Sequence, residues 1–577
     1  MAIVKNLLRA AFAVPLLLLT SACGDGEPAP QAPASAPAAP SVAASASSAP
    51  SSSADPAARA AETVARLSDE DLAGQVLIPY AYGSSATAVD KAAAAGNRKL
   101  AGVDSPAEMI AKFRLGGLIL VGFKPDDPTG ATNPTSNVEN PKQVRELTAG
   151  LQDAAGKLPA AAPLLIGTDQ EYGVVTRVTE GVTMLPSALA FGAAGQPNLT
   201  EAAWFAAGRE LAAMGINVDF APVADTLGAQ GSSVIGSRSF GSDPAANAAQ
   251  VAAAVRGLQA SGVSATLKHF PGHGHTTGDS HDELPLIKQD RKAWESQDLP
   301  PFRSGIDAGA ALVMSGHLNL RAVDSGVAAT FSRKIMTDEL RGRLRFTGVA
   351  VSDAMNMEPA RKWPAGEAAV RALNAGNDML LMPPDITGAR DGILTGLRTG
   401  TLKRERLTEA VTRILTLKFR SAHTVQPELS TVGSEENARA VAALDAASIT
   451  VLRGRCSGAL ASGPVTVSAS GSREAARVNL VRALQAAGMT VQAAGGAVVH
   501  LVGYGDRQID LDDSAAITVM MDSPGLLAAS RSPTLIATYS SSKLSMAALA
   551  AVIAGKASAP GKSPVAVGKL PRSACTK

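Results

Sequence analysis

The sequence predicts an α/β protein, a (β/α)8 TIM-type barrel followed by a smaller three-layer α/β/α domain. From about residue 60, short apolar runs alternate with polar loops and Ala-rich segments of helical spacing. Eight such runs recur at roughly 40-residue intervals before the pattern breaks after Leu417, looser than an undecorated barrel of about 250 residues. Alternation alone also fits a doubly wound open sheet. The polar residues decide between them, because they fall just after the runs, where a barrel gathers side chains distant in sequence onto one mouth.

In chain order, residues 1–23 combine Lys5 and Arg9 with an apolar run from Ala10 to Leu19 and small residues before Cys23. That is the pattern of an export signal, too short to span a bilayer. Cys23 sits where the pattern resembles a bacterial lipobox, so an exported protein, lipid-anchored to the membrane of the cell envelope, is expected; the alternative is an ordinary cleaved signal with an incidental cysteine. Without Lys5 and Arg9 the chain carries 51 basic and 51 acidic side chains, so acyl chains rather than charge would anchor it. Residues 24–58, rich in Ala, Pro and Ser, read as an extended spacer.

The barrel is expected over residues 59–420. Its strands are 76–79, 118–122, 164–168, 218–221, 265–268, 312–315, 349–352 and 379–382. A polar linker, 421–437, leads to the second domain, 438–577, with strands at 465–467, 498–502, 517–521 and 535–537 and a helix near 475–487. Cys456 and Cys575 both fall in this domain, and an exported compartment permits a disulfide or leaves two thiols.

Composition excludes some partners. The 577 residues carry a net charge of +2 with no long run of one sign, so there is no basic face for nucleic acid. Aromatic residues make up only 3%, too few for wide stacking platforms. Four of the seven histidines lie between His269 and His281, in a stretch broken by Pro271 and by glycines at 272, 274 and 278. This is a loop crowded with titratable groups. Asp279 and His281, at i and i+2, can form a carboxylate–imidazole dyad, which holds the ring's tautomer and strengthens it as a base. Histidine spacings of four, two and six match neither a zinc-protease helix nor a zinc finger, so no metal and no cofactor are expected.

Asp353 ends the seventh apolar run. Taken alone it reads as a helix N-cap. Beside an Asp–His dyad on another rim loop it becomes a candidate nucleophile, and the pair has the layout of a retaining glycosidase whose second carboxyl is replaced by histidine. His273 and His275 are expected to bond backbone carbonyls and stiffen the loop. His317 either lines the pocket or is structural; His423 and His500 lie outside the barrel. Lys124, Asp126 and Asp127 read as a solvated rim insertion.

These residues together resemble glycoside hydrolase family 3, specifically its NagZ-like β-N-acetylhexosaminidases. The resemblance spans about 360 residues in the family's order. It rests on Asp169-Gln170-Glu171, on 217–225 and 237–241, on Lys268 to Gly274 with Asp279-Ser280-His281, and on Ser352-Asp353-Ala354-Met355. It implies Asp353 as nucleophile, His281 as general acid/base, Asp279 as its orienting partner, and Asp169, Arg238, Lys268 and His269 as hydroxyl-binding groups. Family members commonly follow Asp-Gln-Glu with Gly-Gly-Arg; here Val174 stands in the arginine's place, and Arg177 matches a later position. The expected substrate is a small GlcNAc-containing glycoside, such as a peptidoglycan-derived fragment, acted on by a monomer. Two alternatives stand beside hydrolysis. One is a phosphorylase, because a neutral imidazole tolerates an anionic acceptor that a carboxylate would repel. The other is a non-catalytic exported sugar-binding lipoprotein.

Overall fold

The computed structural model describes residues 55–122, 129, 133–229, 232, 234–422, 424–471 and 473–575. The export signal with Cys23, the spacer as far as residue 54, Lys124, Asp126, Asp127 and His423 lie outside the described residues. The helix Pro56–Arg66, begun by Asp55 as N-cap with proline in its first turn, starts just inside the span read as spacer.

Among the described residues, ten strands belong to the first domain. They are β1 (Leu77–Ile78), β2 (Gly117–Leu120), β3 (Leu165–Thr168), β4 (Val218–Asp219), β5 (Ser264–Phe270), β6 (Leu286–Ile287), β7 (Leu312–Ser315), β8 (Asn319–Leu320), β9 (Val349–Ser352) and β10 (Leu380–Leu381). β2, β3, β4, β5, β7 and β9 form a six-stranded parallel sheet in that order, and β10 pairs parallel with β1. Two links close the ring. A Val351–Met379 bridge joins β9 to β10, and the Ile119 N–H donates to the Pro79 carbonyl at 2.9 Å, joining β1 to β2. These eight strands are the eight apolar runs of the sequence, and each is buried along its length, as parallel strands covered on both faces must be.

β5 runs on to Phe270, past the end the sequence suggested. The small pair β6–β8 was not legible in the sequence, because each strand has only two residues. It matters for the site: β6 directly follows the histidine-rich loop and ties it to the segment after His317.

The second domain adds β11 (Thr450–Arg453), β12 (Val465–Ala469), β13 (Ala497–Val502), β14 (Ile517–Met520) and β15 (Thr534–Ala537), in the order β11-β15-β14-β13-β12. Only the β11–β15 pair is antiparallel. Alternating residues face two different cores. Val499, Leu501, Ile517, Val519 and Ile536 pack with the helices Glu474–Ala486 and Lys543–Ile553. Val502, Met520, Leu535 and Ala537 pack against Leu189, Ala190 and Ala193 of a barrel helix, Ala188–Ala194. The third layer of the expected sandwich is therefore supplied in part by the barrel. The polar stretch between the domains is docked as well: Arg145 donates to the Pro427 carbonyl and Gly433 N to Glu210. Cys456 and Cys575 are joined in a disulfide, with Cα atoms 5.1 Å apart.

Candidate active site

The pocket lies at the carboxyl ends of the barrel strands and encloses about 540 Å³ of space, counted out to its open mouth. Asp169, Arg238, Lys268, His269, His281 and Asp353 all line it. Asp279 stands behind His281.

The floor is a buried ionic lattice. The Arg238 guanidinium grips Glu171 through two bonds, Nε to Oε2 at 2.7 Å and Nη2 to Oε1 at 2.8 Å. Lys268, whose side chain is 3% exposed, reaches Asp169 Oδ1 at 2.7 Å and Glu171 Oε1 at 2.6 Å. Burial alone would raise the Glu171 pKa, but the two cations overcome it and hold the carboxylate far below its ordinary range. The same carboxylates raise the Lys268 pKa against the pull of burial. Asp219, at the end of β4, accepts from Gln170 N and has no cation of its own. Burial raises its pKa well above the ordinary carboxylate value, against the opposing pull of the Gln170 N–H and Lys268.

His269 is fixed by Asp225, which is fully buried. Nδ1 lies 2.8 Å from Asp225 Oδ2, and the backbone N–H groups of His269 and His273 both donate to Oδ1. A carboxylate on Nδ1 sets the tautomer and leaves Nε2 facing Arg238 Nη2 at 3.4 Å. Asp225 and Glu171 lie within motifs read from the sequence, yet their place in the site was missed. An acidic residue in an apolar motif shows its partner only once the fold is known.

Above the floor runs the loop from Pro271 to Pro285. Gly272 has φ +123°, and a Cβ there would come within 2.9 Å of Asp298 Cβ; at Gly274 a Cβ would meet the Thr226 carbonyl oxygen at 2.0 Å. Glycine is thus required for the loop's close approach to the barrel. His273 does not bond backbone carbonyls, as the sequence suggested. Its Nδ1 pairs with Thr276 Oγ1 and its Nε2 with Ser280 Oγ, and burial lowers its pKa to about 4. His275 pairs with buried Asp298 at 2.8 Å, again a side chain rather than a carbonyl. The loop's polar side chains are thus paired with one another and, at His275, with Asp298 of the barrel. At its end, Asp279 Oδ1 accepts from both His281 N and His281 Nδ1, at 2.9 and 2.6 Å. Burial opposes the charge on Asp279, but these bonds keep its pKa below the usual value.

Asp353 caps no helix. Strand β9 ends at Ser352, and Asp353 Oδ1 takes the adjacent Ala354 N–H at 2.8 Å. Burial would raise its pKa; the fields of His269 and His317 and the Ala354 N–H hold it down, so the carboxylate is ionised. His317 is buried, bonds Thr330 Oγ1 and the Ala354 carbonyl, and stacks on Phe331. It supports the Asp353 turn from below. His500, on β13, bonds Ser468 and the Asp510 carbonyl, remote from the pocket. Arg177 also lines the pocket, donating to Thr129 and lying 3.8 Å from Asp169.

An aspartate with a lowered pKa and a carboxylate-bound histidine on one rim put a nucleophile and a proton donor within one pocket. Residues 94–417 match the glycosyl hydrolase family 3 N terminal domain, and the chain belongs to that family. A β-hexosaminidase A of Pseudoalteromonas piscicida is 34% identical over 378 residues, covering 60% of this chain; the chain spans 61% of that relative's length. A β-hexosaminidase of Nitrosomonas eutropha is 38% identical over 269 residues, 45% of this chain and 75% of the relative. Among solved structures, a glycoside hydrolase family 3 β-N-acetylglucosaminidase from Paenibacillus sp. str. FPU-7 superposes with a TM-score of 0.75 at 29% identity, covering 87% of this chain and 99% of the other.

Proposed function

We propose that this protein is a retaining exo-β-N-acetylglucosaminidase that hydrolyses terminal GlcNAc from β-linked glycosides. The observation that carries the reading is that Asp353 and His281 line one pocket, with Asp353 ionised. A pyranose bound between them would be attacked at the anomeric carbon by the Asp353 carboxylate while His281 Nε2 gives its proton to the departing glycosidic oxygen. The covalent glycosyl-enzyme is then hydrolysed by water, whose proton His281 takes back, and the anomeric configuration is retained. Asp279 holds His281 in its tautomer. Asp169, Arg238, Lys268 and His269 supply donors and acceptors for sugar hydroxyls.

The names of the relatives support the N-acetyl preference. Peptidoglycan-derived fragments as substrates, a monomeric state and a lipid anchor on Cys23 complete the reading. Labelled palmitate that fails to enter the protein would remove the anchor. Turnover is tested with nitrophenyl N-acetylglucosaminide against nitrophenyl glucoside, in the presence and absence of phosphate. Faster release from the N-acetyl sugar with free GlcNAc as product is expected. Preference for the glucoside would overturn the substrate, GlcNAc-1-phosphate as the main product would move the enzyme to the phosphorylases, and no release from either would leave a binding protein.

A further inference from the structure

A second cavity, of about 990 Å³, lies between the barrel and the second domain. On one side it is walled by Gly173 and Val174, the tip of the tight turn closed by the Tyr172–Val175 bridge. The two ends of that same loop, Asp169 with Glu171 and Arg177, line the active-site pocket. The opposite wall is made by segments that follow the parallel strands β12, β13, β14 and β15: Arg473, Gly503–Tyr504, Met521–Asp522 and Ser540–Lys543. The crevice outside the carboxyl ends of parallel strands is where open α/β sheets bind ligands, because helix N-termini converge there.

The charges suit an anion. Arg473 and Lys543 are the two cations of the wall, and each stands at the start of a helix, Glu474–Ala486 and Lys543–Ile553. Helix first turns leave N–H groups without intrahelical partners, and their partial positive charge adds to that of the side chains. Arg473 is held in place: it lies 3.6 Å from Asp506 and also donates to the Tyr504 carbonyl. Asp522 is the one acid lining the cavity; it is buried against Ser237, and burial raises its pKa. An independent observation comes from the barrel side. Ser187, 2% exposed and packed beside Gly173, lines the cavity, and its Oγ has no hydrogen-bond partner among the described residues. A buried hydroxyl is normally paired, so this one is available to donate to a group bound in the cavity.

We infer that this cavity is an oxyanion site, in which Arg473, Lys543 and the Ser187 hydroxyl take a carboxylate or phosphate group. Its cations come from the second domain and face the Gly173–Val174 turn of the barrel. The oxyanion is either free in solution or borne on the aglycone of a glycoside whose sugar occupies the neighbouring pocket.

Two measurements on the full chain decide this. Calorimetric titration with inorganic phosphate should give saturable binding that weakens about tenfold in Lys543→Gln, the loss of one charge-assisted contact, and disappears in Val174→Glu, which sets a carboxylate beside the cations. Lys543 is exposed and Val174 is on a turn, so both variants keep the fold even where Arg473→Gln does not. The second measurement is the ratio of kcat/KM for an N-acetylglucosaminide with a carboxylate on its aglycone to that for the neutral nitrophenyl glycoside. A ratio that falls at least about fivefold in the variants assigns the anion to the aglycone. Phosphate binding with an unchanged ratio assigns it to a free anion. Phosphate binding that ignores both variants, or no binding and no change in ratio, overturns the site. The phosphate arm needs no turnover, so its outcome is separate from that of the proposed hydrolysis.

Discussion

In the pocket floor Arg238, Glu171 and Lys268 each have an opposite charge within bonding distance and almost no contact with water. Glu171 and Lys268 are each 3% exposed at the side chain. In the loop above, His281 and Asp279 are 13% and 33% exposed and depend on each other across a two-residue turn. The two regions divide the work of a site. Desolvated ion pairs fix geometry, because breaking one strands a charge in a low-dielectric interior. A dyad that keeps some access to water strands less charge when broken, and its imidazole stays within reach of a bound substrate. Removing a floor residue should therefore cost folding, and removing a loop residue should cost turnover.

The largest effect tests the group between the two regions. Asp353→Ala should lower kcat/KM on an aryl N-acetylglucosaminide by about 10⁴-fold or more; near-wild-type hydrolysis would end the nucleophile assignment. His281→Ala should cost about 10³-fold in turnover while the urea midpoint stays close to that of wild type. A large fall in stability in that variant would contradict the division. Glu171→Gln should do the reverse, losing about 3–5 kcal/mol of folding stability by leaving Arg238 and Lys268 short of a counter-charge. The pH dependence has a definite sign. The folded pKa of Glu171 lies below its unfolded value of about 4.3, so its contribution is complete above that value and is lost as pH falls through the folded one. The gap between wild type and variant should stay constant from pH 8 to 6 and narrow below about pH 4. The smallest effect is expected for Asp279→Asn, about 10²-fold in turnover with little change in stability. A shift in denaturation midpoint as large as that of Glu171→Gln would show that the loop, too, holds the fold.

Much of this was legible in the residues. Parallel strands must be apolar along their whole length, so eight short apolar runs announced the barrel, and a strand's last residue announces its position on the rim. That is why Asp353, His269 and Lys268 could be picked out. The i, i+2 spacing of Asp279 and His281 placed their contact within reach of a local turn. The misreadings of His273 and His275 have one cause. The partners of His273 and His275 are Thr276, Ser280 and Asp298, and choosing them over nearby carbonyls takes the loop's path through space.

By itself, then, the chain determined what depends on neighbours along it: which segments become strands, where glycine lets the loop pass, and which carboxylate bonds which imidazole two residues away. Tertiary structure decided everything that relies on approach between distant segments. It brought Asp225, 44 residues upstream, to His269, set Arg238 on Glu171, closed the ring through Ile119 and Pro79, and laid the second domain's sheet against a barrel helix. The physical reason is that electrostatic and packing energies fall off over a few ångströms of space, whereas separation along the chain says almost nothing about that distance.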